Sequence, residues 1–306
     1  METNSTFLSR LSRRGAERFL AIAAFGFASL LFFADLARGE PLSKSDPFAI
    51  LKTHLVRDGF DEPFIQSIYS KPEVTFDHKV ITVYFSHREA ALNYDQFLSR
   101  SSVDQAIRYL GQHEQALKQA QRVYGVEGEG ITAIILVETR LGTLVGERLV
   151  LNTLSTLAVL GDKDSRDRLW YADLKDKTDG SKRRFDSWAS QKSAWAYNEL
   201  KAYLQYTNAQ GLNPMSIPGS FAGALGVAQF IPSSVLKFAK DGNQDGQINL
   251  FDHEDAIESI ANYLKEHGWK PGLSNEEAVQ VLLTYNNSTY YANTILKVAN
   301  RLSMAQ

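Results

Sequence analysis

Not one cysteine occurs in the 306 residues. Disulfides are therefore excluded as staples, and so is an anchor built on a lipid-modified cysteine. Methionine is scarce too, three in all, which argues against a calcium sensor that opens a methionine-rich groove. The chain has no long run of positive charge. Its 33 basic and 35 acidic residues give a formal net charge of −2, which sets nucleic acid aside as a partner. The apolar run Phe19 to Phe33 counts 15 residues, short of the roughly 20 that cross a bilayer. Internal repeats and low-complexity tracts are absent.

What is present is ample apolar material, 44% of the chain, enough to bury one large core or two modest ones. Arg10, Arg13, Arg14 and Arg18 precede the apolar run, and Ala37 and Gly39 stand at −3 and −1 to a cut before Glu40. This is the pattern of an export signal over residues 1–39, pointing to the bacterial periplasm. An uncleaved segment, the alternative, would leave the protein associated with the inner membrane. Removing the signal takes five arginines and three acids, leaving 28 basic against 32 acidic residues.

Helical spacing dominates the remainder. In "AIRYLGQHEQALKQAQRVYGV", Ile107, Leu110, Ala116, Leu117 and Ala120 form one apolar face. "SAWAYNELKAYLQYTNAQG" is helical up to Gly211, a C-terminal cap. "KVITVYFS", Lys79 to Ser86, has strand composition but stands alone, and "GDKDSRDRLWYADLKDKTDGSKRRFDSW" is charged enough for a solvent-facing loop or frayed helix. The fold class expected is mainly α.

Three clusters suggest chemistry. In "GEGITAIILVETRLGT", Ile131, Ile134, Ile135 and Glu138 fall at i, i+3, i+4 and i+7, so a carboxylate shares a core-facing stripe. Desolvation there would keep the acid protonated near neutral pH, ready to donate to a leaving group. Pairing with a buried arginine is the other explanation. "GSFAGALGVAQFIPSS", Gly219 to Ser234, holds three glycines and three alanines that bring backbone close to a helix or a ligand. "TYNNSTYY", Thr284 to Tyr291, offers amides and aromatic rings suited to sugars, or a plain aromatic loop cap.

Between the last two lies "DGNQDGQINLFDHED". Asp241, Asn243 and Asp245 stand at positions 1, 3 and 5 with glycine at 6, the pattern of an EF-hand calcium loop. A twelve-residue loop would end at Asp252, where a bidentate glutamate is usual.

In this order and combination, the clusters resemble the lytic murein transglycosylase B family, from about Tyr94 to Asn300. The resemblance implies a lysozyme-like catalytic core over 94–306, an added helical subdomain over 40–93 and a single EF-hand-type metal loop, 241–255. It implies cleavage of the β-1,4 bond between N-acetylmuramic acid and N-acetylglucosamine in peptidoglycan, with formation of 1,6-anhydromuramic acid ends. Glu138 would be acid then base, Ser220, Gln229, Tyr285 and Asn286 would line the cleft, and Tyr263, Tyr291 and Tyr94 would shape sugar subsites. The family's fifteen-residue loop implies that structural calcium is held by Asp241, Asn243, Asp245, the Gln247 carbonyl and Asp255. No organic cofactor is implied. The partners implied are glycan strands and, as a class, proteins of cell-wall synthesis or division. Leu141 departs from the pattern of many family members, which have an aromatic residue there. The rival functions are a lysozyme-like hydrolytic muramidase, a non-catalytic wall-binding protein and, last, a calcium-binding regulator.

Overall fold

The structure, a computed structural model, describes residues 46–87, 93–176 and 181–305. The export signal expected over 1–39 lies outside these residues, and no helix among them is long and apolar enough to cross a membrane. The expected mainly helical class holds. The first helices are α1 (Ala49–Arg57), α2 (Glu62–Tyr69) and α3 (His78–Ser86). Then come a 3-10 turn (Tyr94–Leu98), α4 (Arg100–Gln112), α5 (Glu114–Tyr124) and α6 (Gly128–Thr139). The chain continues through α7 (Val150–Ala158), α8 (Lys163–Leu169) and the 28-residue α9 (Lys182–Ala209). It closes with α10 (Pro232–Phe238), α11 (His253–Glu266), α12 (Asn275–Tyr285) and α13 (Thr289–Ser303). Among the described residues the one sheet is an antiparallel pair, β1 (Arg148–Leu149) with β2 (Pro218–Gly219).

The stretch Lys79–Ser86, strand-like by composition, is helix α3. Asp77 caps it by accepting from the amides of Lys79 (3.0 Å) and Val80 (3.2 Å). Its buried residues, Val80, Ile81, Tyr84 and Phe85, follow a helical and not an alternating period. A lone strand would have left its amides without partners, so tertiary packing overrides β propensity here. The charged segment after Gly161 is more ordered than its composition suggests. Leu169, Trp170, Leu174 and Phe185 are buried beneath it, while Lys182 bridges Asp167 and Asp186 at 2.6 Å each on the outside. The continuous apolar face read across Ile107 to Ala120 is broken at His113, whose backbone separates α4 from α5.

Helix α6 is the centre. It packs against α4, α5, α11 and α13, and every residue from Gly130 to Thr139 is buried. It therefore has no single core-facing stripe: it is apolar all round, the mark of a helix enclosed by others. A second group forms around α7 and α9, joined by α3 and α10. The Tyr69 hydroxyl meets Ser155 Oγ at 2.7 Å, and the Asp77 amide donates to Thr156 Oγ1 at 2.9 Å, fixing the N-terminal helices to α7.

Candidate active site

Glu138 sits in the last turn of α6 at 0% exposure. Arg140, two residues on, is not turned to it as a buried partner: its guanidinium donates to Gln96 Oε1 and lies 5.6 Å over the Phe97 ring. Tyr285 and Tyr291 stack at 6.3 Å between centroids, interplanar angle 11°. Burial, and then the negative charge of Glu138, pushes both phenols well above their ordinary range, and at Tyr291 a hydrogen bond with Glu138 adds to this. Tyr94 also acts on Tyr291. Glu138, Tyr285, Tyr291 and Tyr94 are thus one cluster drawn from α6, the end of α12, the start of α13 and the 3-10 turn.

The glycine-rich segment closes one side. The Tyr285 hydroxyl donates to the Ala228 carbonyl, and Thr139 Oγ1 lies 3.1 Å from the Val227 carbonyl. Gln229 has a left-handed backbone, φ +49. Its Nε2 donates to the carbonyls of Gly226 (2.9 Å) and Val145 (3.2 Å), leaving Oε1 buried with no hydrogen bond. Ser220 Oγ accepts from the amides of Ala222 (3.2 Å) and Ala224 (3.1 Å), so it holds its own turn together. The glycines face protein: a Cβ at Gly223 would meet Leu154 at 2.6 Å, and one at Gly226 would meet Leu250 at 2.5 Å. Close packing, not an open face, explains them.

Asn286 is 1% exposed at the extended C-cap of α12. Tyr263 stands behind the cluster. Its hydroxyl donates to the Thr284 carbonyl (2.6 Å), its ring stacks on His267 at 4.0 Å and meets Tyr285 edge-on at 5.0 Å.

The end of α6 is unusual. Arg140 and Leu141 have φ of +47 and +61, followed by Gly142 at +84. A non-glycine residue in this region costs of order 1–3 kcal/mol and persists where surroundings hold it. Here the Gly142 amide donates to Thr139 Oγ1 (3.0 Å), and the Leu144 amide to the Thr139 carbonyl (2.9 Å). Thr139, Gln96 and the residues packed on Gly142 escaped the sequence reading. The signal was the glycine closing "ETRLG", four residues after the carboxylate.

The loop over 241–255 holds its shape through its own hydrogen bonds. Asp241 accepts from the amides of Asp245 (3.1 Å) and Gly246 (2.9 Å), and Asn243 and Asp245 accept from the amides two residues on. Gly246 has φ +89. Asp255, at 0% exposure, accepts from Gly242 (2.8 Å), Asn243 (3.3 Å) and Asn249 (2.7 Å). Burial pushes its carboxyl up, and these three amides pull it back. Asp252 instead caps α11, accepting from Glu254 (2.8 Å) and Asp255 (3.4 Å). Among the described residues no three His, Cys, Asp or Glu side chains converge as a metal-binding group. The donor set of hard oxygens, with Asp255 folded back on the loop's start, nevertheless suits a cation such as calcium.

A family model described as the transglycosylase SLT domain matches residues 44–282. The membrane-bound lytic murein transglycosylase B of Escherichia coli K12 is 36% identical over 177 residues, 58% of this chain and 41% of that protein. The match thus spans less than half of that relative. The crystal structure of the Escherichia coli lytic transglycosylase Slt35 in complex with calcium superposes with a TM-score of 0.66 at 26% identity, covering 85% of this chain and 93% of that one. The soluble lytic transglycosylase SltB1 of Pseudomonas aeruginosa, at 24% identity, shares the fold with a TM-score of 0.68 over 84% of this chain and 98% of its own.

Proposed function

The chain belongs to the transglycosylase SLT domain family, and on that premise we propose that it is an exported lytic transglycosylase. It cleaves the β-1,4 bond between N-acetylmuramic acid and N-acetylglucosamine in peptidoglycan strands and leaves 1,6-anhydromuramic acid ends. The observation that carries this reading is that Glu138, fully buried, is among the described residues the one carboxyl acting on the buried phenols of both Tyr285 and Tyr291, with Tyr94 acting on Tyr291 beside it. Glycoside hydrolysis ordinarily uses two carboxyl groups flanking the bond, which favours transglycosylation over the muramidase alternative.

Burial disfavours a charged carboxylate, so Glu138 meets its substrate as the acid. It protonates the glycosidic oxygen, and the N-acetylglucosamine hydroxyl departs as positive charge grows at the muramoyl C1. The Glu138 carboxylate then takes the proton of the C6 hydroxyl as that oxygen bonds to C1. The anhydro ring closes, Glu138 is an acid again, and no water is consumed. Gln229 Oε1, buried and without a hydrogen bond, suits the N–H of the substrate acetamido group. Ser220 Oγ already serves its own turn.

A structural calcium ion fits Asp241, Asn243, Asp245, the Gln247 carbonyl and Asp255, stapling α11 to the loop in a chain without disulfides. The segment 1–39 directs export to the periplasm. Digesting purified peptidoglycan and weighing the muropeptides tests the proposal: anhydro ends, one water lighter than hydrolysed ones, are expected, and reducing ends alone would overturn it in favour of a muramidase.

A further inference from the structure

The left-handed turn that ends α6 is braced from behind by a residue remote in sequence. A Cβ at Gly142 would lie 2.6 Å from His253 Cε1 and 2.9 Å from Nε2, so the imidazole occupies the space that glycine leaves. The ring is fixed in turn. The Tyr109 hydroxyl and His253 Nδ1 share a hydrogen bond of 2.8 Å, and His113 stacks on the other side at 4.7 Å with an interplanar angle of 26°. Tyr109 is 3% exposed on α4, so its hydroxyl has little freedom to follow a ring that moves. These side chains, with Arg140 and Leu141, line a cavity of about 310 Å³.

This arrangement backs a strained turn. Arg140 and Leu141 hold positive φ only while neighbours keep them there, and Glu138 lies just before them in the same turn. The inner neighbour, Thr139, ties the turn to itself and to Val227. The outer neighbour is His253. Resting on the reading of Glu138 as the acid/base, we infer that His253, oriented by Tyr109, is a positioning residue for the Glu138 carboxyl. It touches no substrate. It acts by stopping the Arg140–Gly142 turn from relaxing outward, which would swing the last turn of α6 and its carboxyl away from the glycosidic oxygen. Misplacement of an acid by about 1 Å costs of order 100-fold in rate.

The test compares His253→Ala, His253→Asn, His253→Gln and Tyr109→Phe on a soluble peptidoglycan tetrasaccharide, with thermal melting of each protein. His253→Ala is expected to lower kcat by about 10- to 100-fold with KM within about twofold, since only the reacting group is displaced. Asparagine places a polar atom near the position of Nδ1 and glutamine does not, so His253→Asn should recover most of kcat and His253→Gln little. Tyr109→Phe removes one oxygen and keeps the ring in place, and should reproduce part of the loss. Unchanged kcat in folded His253→Ala and Tyr109→Phe, or a loss confined to KM, would overturn the inference. So would equal recovery by asparagine and glutamine, which would mean that the ring merely fills space. Glu138→Gln separates the two readings: an active Glu138→Gln protein removes the proposed function itself, whereas an inactive one beside fully active His253 variants removes only the positioning role.

Discussion

Asp255→Ala is the perturbation that weighs most on the loop over 241–255. Its carboxylate takes three amide hydrogens, from Gly242, Asn243 and Asn249, at 2.8, 3.3 and 2.7 Å, with no exposure to water. A hydrogen bond to a charged group contributes about 1.5–3 kcal/mol, and a buried donor left without a partner costs about 1–3 kcal/mol. The three share one carboxylate and are not additive, so a total of about 3–5 kcal/mol without calcium is reasonable, with water reaching the outer two amides. For a protein of this size 1 kcal/mol moves Tm by about 2 °C, giving a fall of about 6–10 °C. Calcium adds a second signature. At a hundredfold excess over its Kd, a ligand bound only by the native state contributes about 2.7 kcal/mol, a further upward shift of several degrees for the wild type and none for Asp255→Ala. Asp252→Ala removes only a helix cap, at about 1 kcal/mol, and should keep the calcium response. Differential scanning calorimetry of the three proteins in chelator and in calcium reads all of this. If Asp255→Ala responds to calcium like the wild type while Asp252→Ala does not, the fifteen-residue loop is wrong.

Glu138→Gln keeps the volume and burial of the side chain but cannot donate a carboxyl proton, so muropeptide release should fall by at least about 100-fold with Tm unchanged or raised. Gly226→Ala places a Cβ 2.5 Å from Leu250 at φ +74, and should cost about 3 kcal/mol or more in urea unfolding; Gly272→Ala, at φ +79 with nothing within 4 Å, should cost only about 1–2 kcal/mol for its backbone. Burial lowers the Lys192 ammonium to about 8, so between that value and its ordinary 10.5 the unfolded chain binds the extra proton and stability rises with pH. The rise, discounted for residual solvent, is about 2 kcal/mol. Lys192→Met should flatten it in urea titrations at pH 7 and pH 10, at the loss of the bond to the Tyr84 hydroxyl (2.8 Å).

The helical class was legible because its evidence is local: periodic apolar residues and a stop such as Gly211, which stands just past α9 at φ +63. Lys79–Ser86 misled because composition speaks for strands while the deciding partners, on α7 and α9, are 70 residues or more away. Glu138 stood out as a charge among isoleucines, though the helix proved buried on all sides. Tyr263 was placed by motif order on the groove, yet its hydroxyl is spent on Thr284. Tyr109 and His253, 144 residues apart, leave no mark in sequence, since neither a period nor a motif links them. Only the missing Cβ of Gly142 ties them to the turn after Glu138.

The segment leaving the loop over 241–255 supports more than that loop. Leu250 accepts from the Val227 amide at 2.7 Å and lies where a Cβ of Gly226 would be; three residues on, His253 lies where a Cβ of Gly142 would be. One short stretch, Leu250–His253, is therefore the common backing of the glycine-rich turn that carries Gln229 and of the turn that ends the helix carrying Glu138. Asp252, within it, caps α11, and Asp255, two residues past His253, draws the stretch to the loop's start at Gly242. A cation held by the loop would stiffen both supports together. Because coupling free energies are reciprocal, Gly142→Ala, which pushes on His253, should weaken calcium binding in isothermal titration by the same factor by which calcium opposes the distorted turn. Unaltered calcium affinity in a folded Gly142→Ala protein would show that the loop and the catalytic turn are merely neighbours.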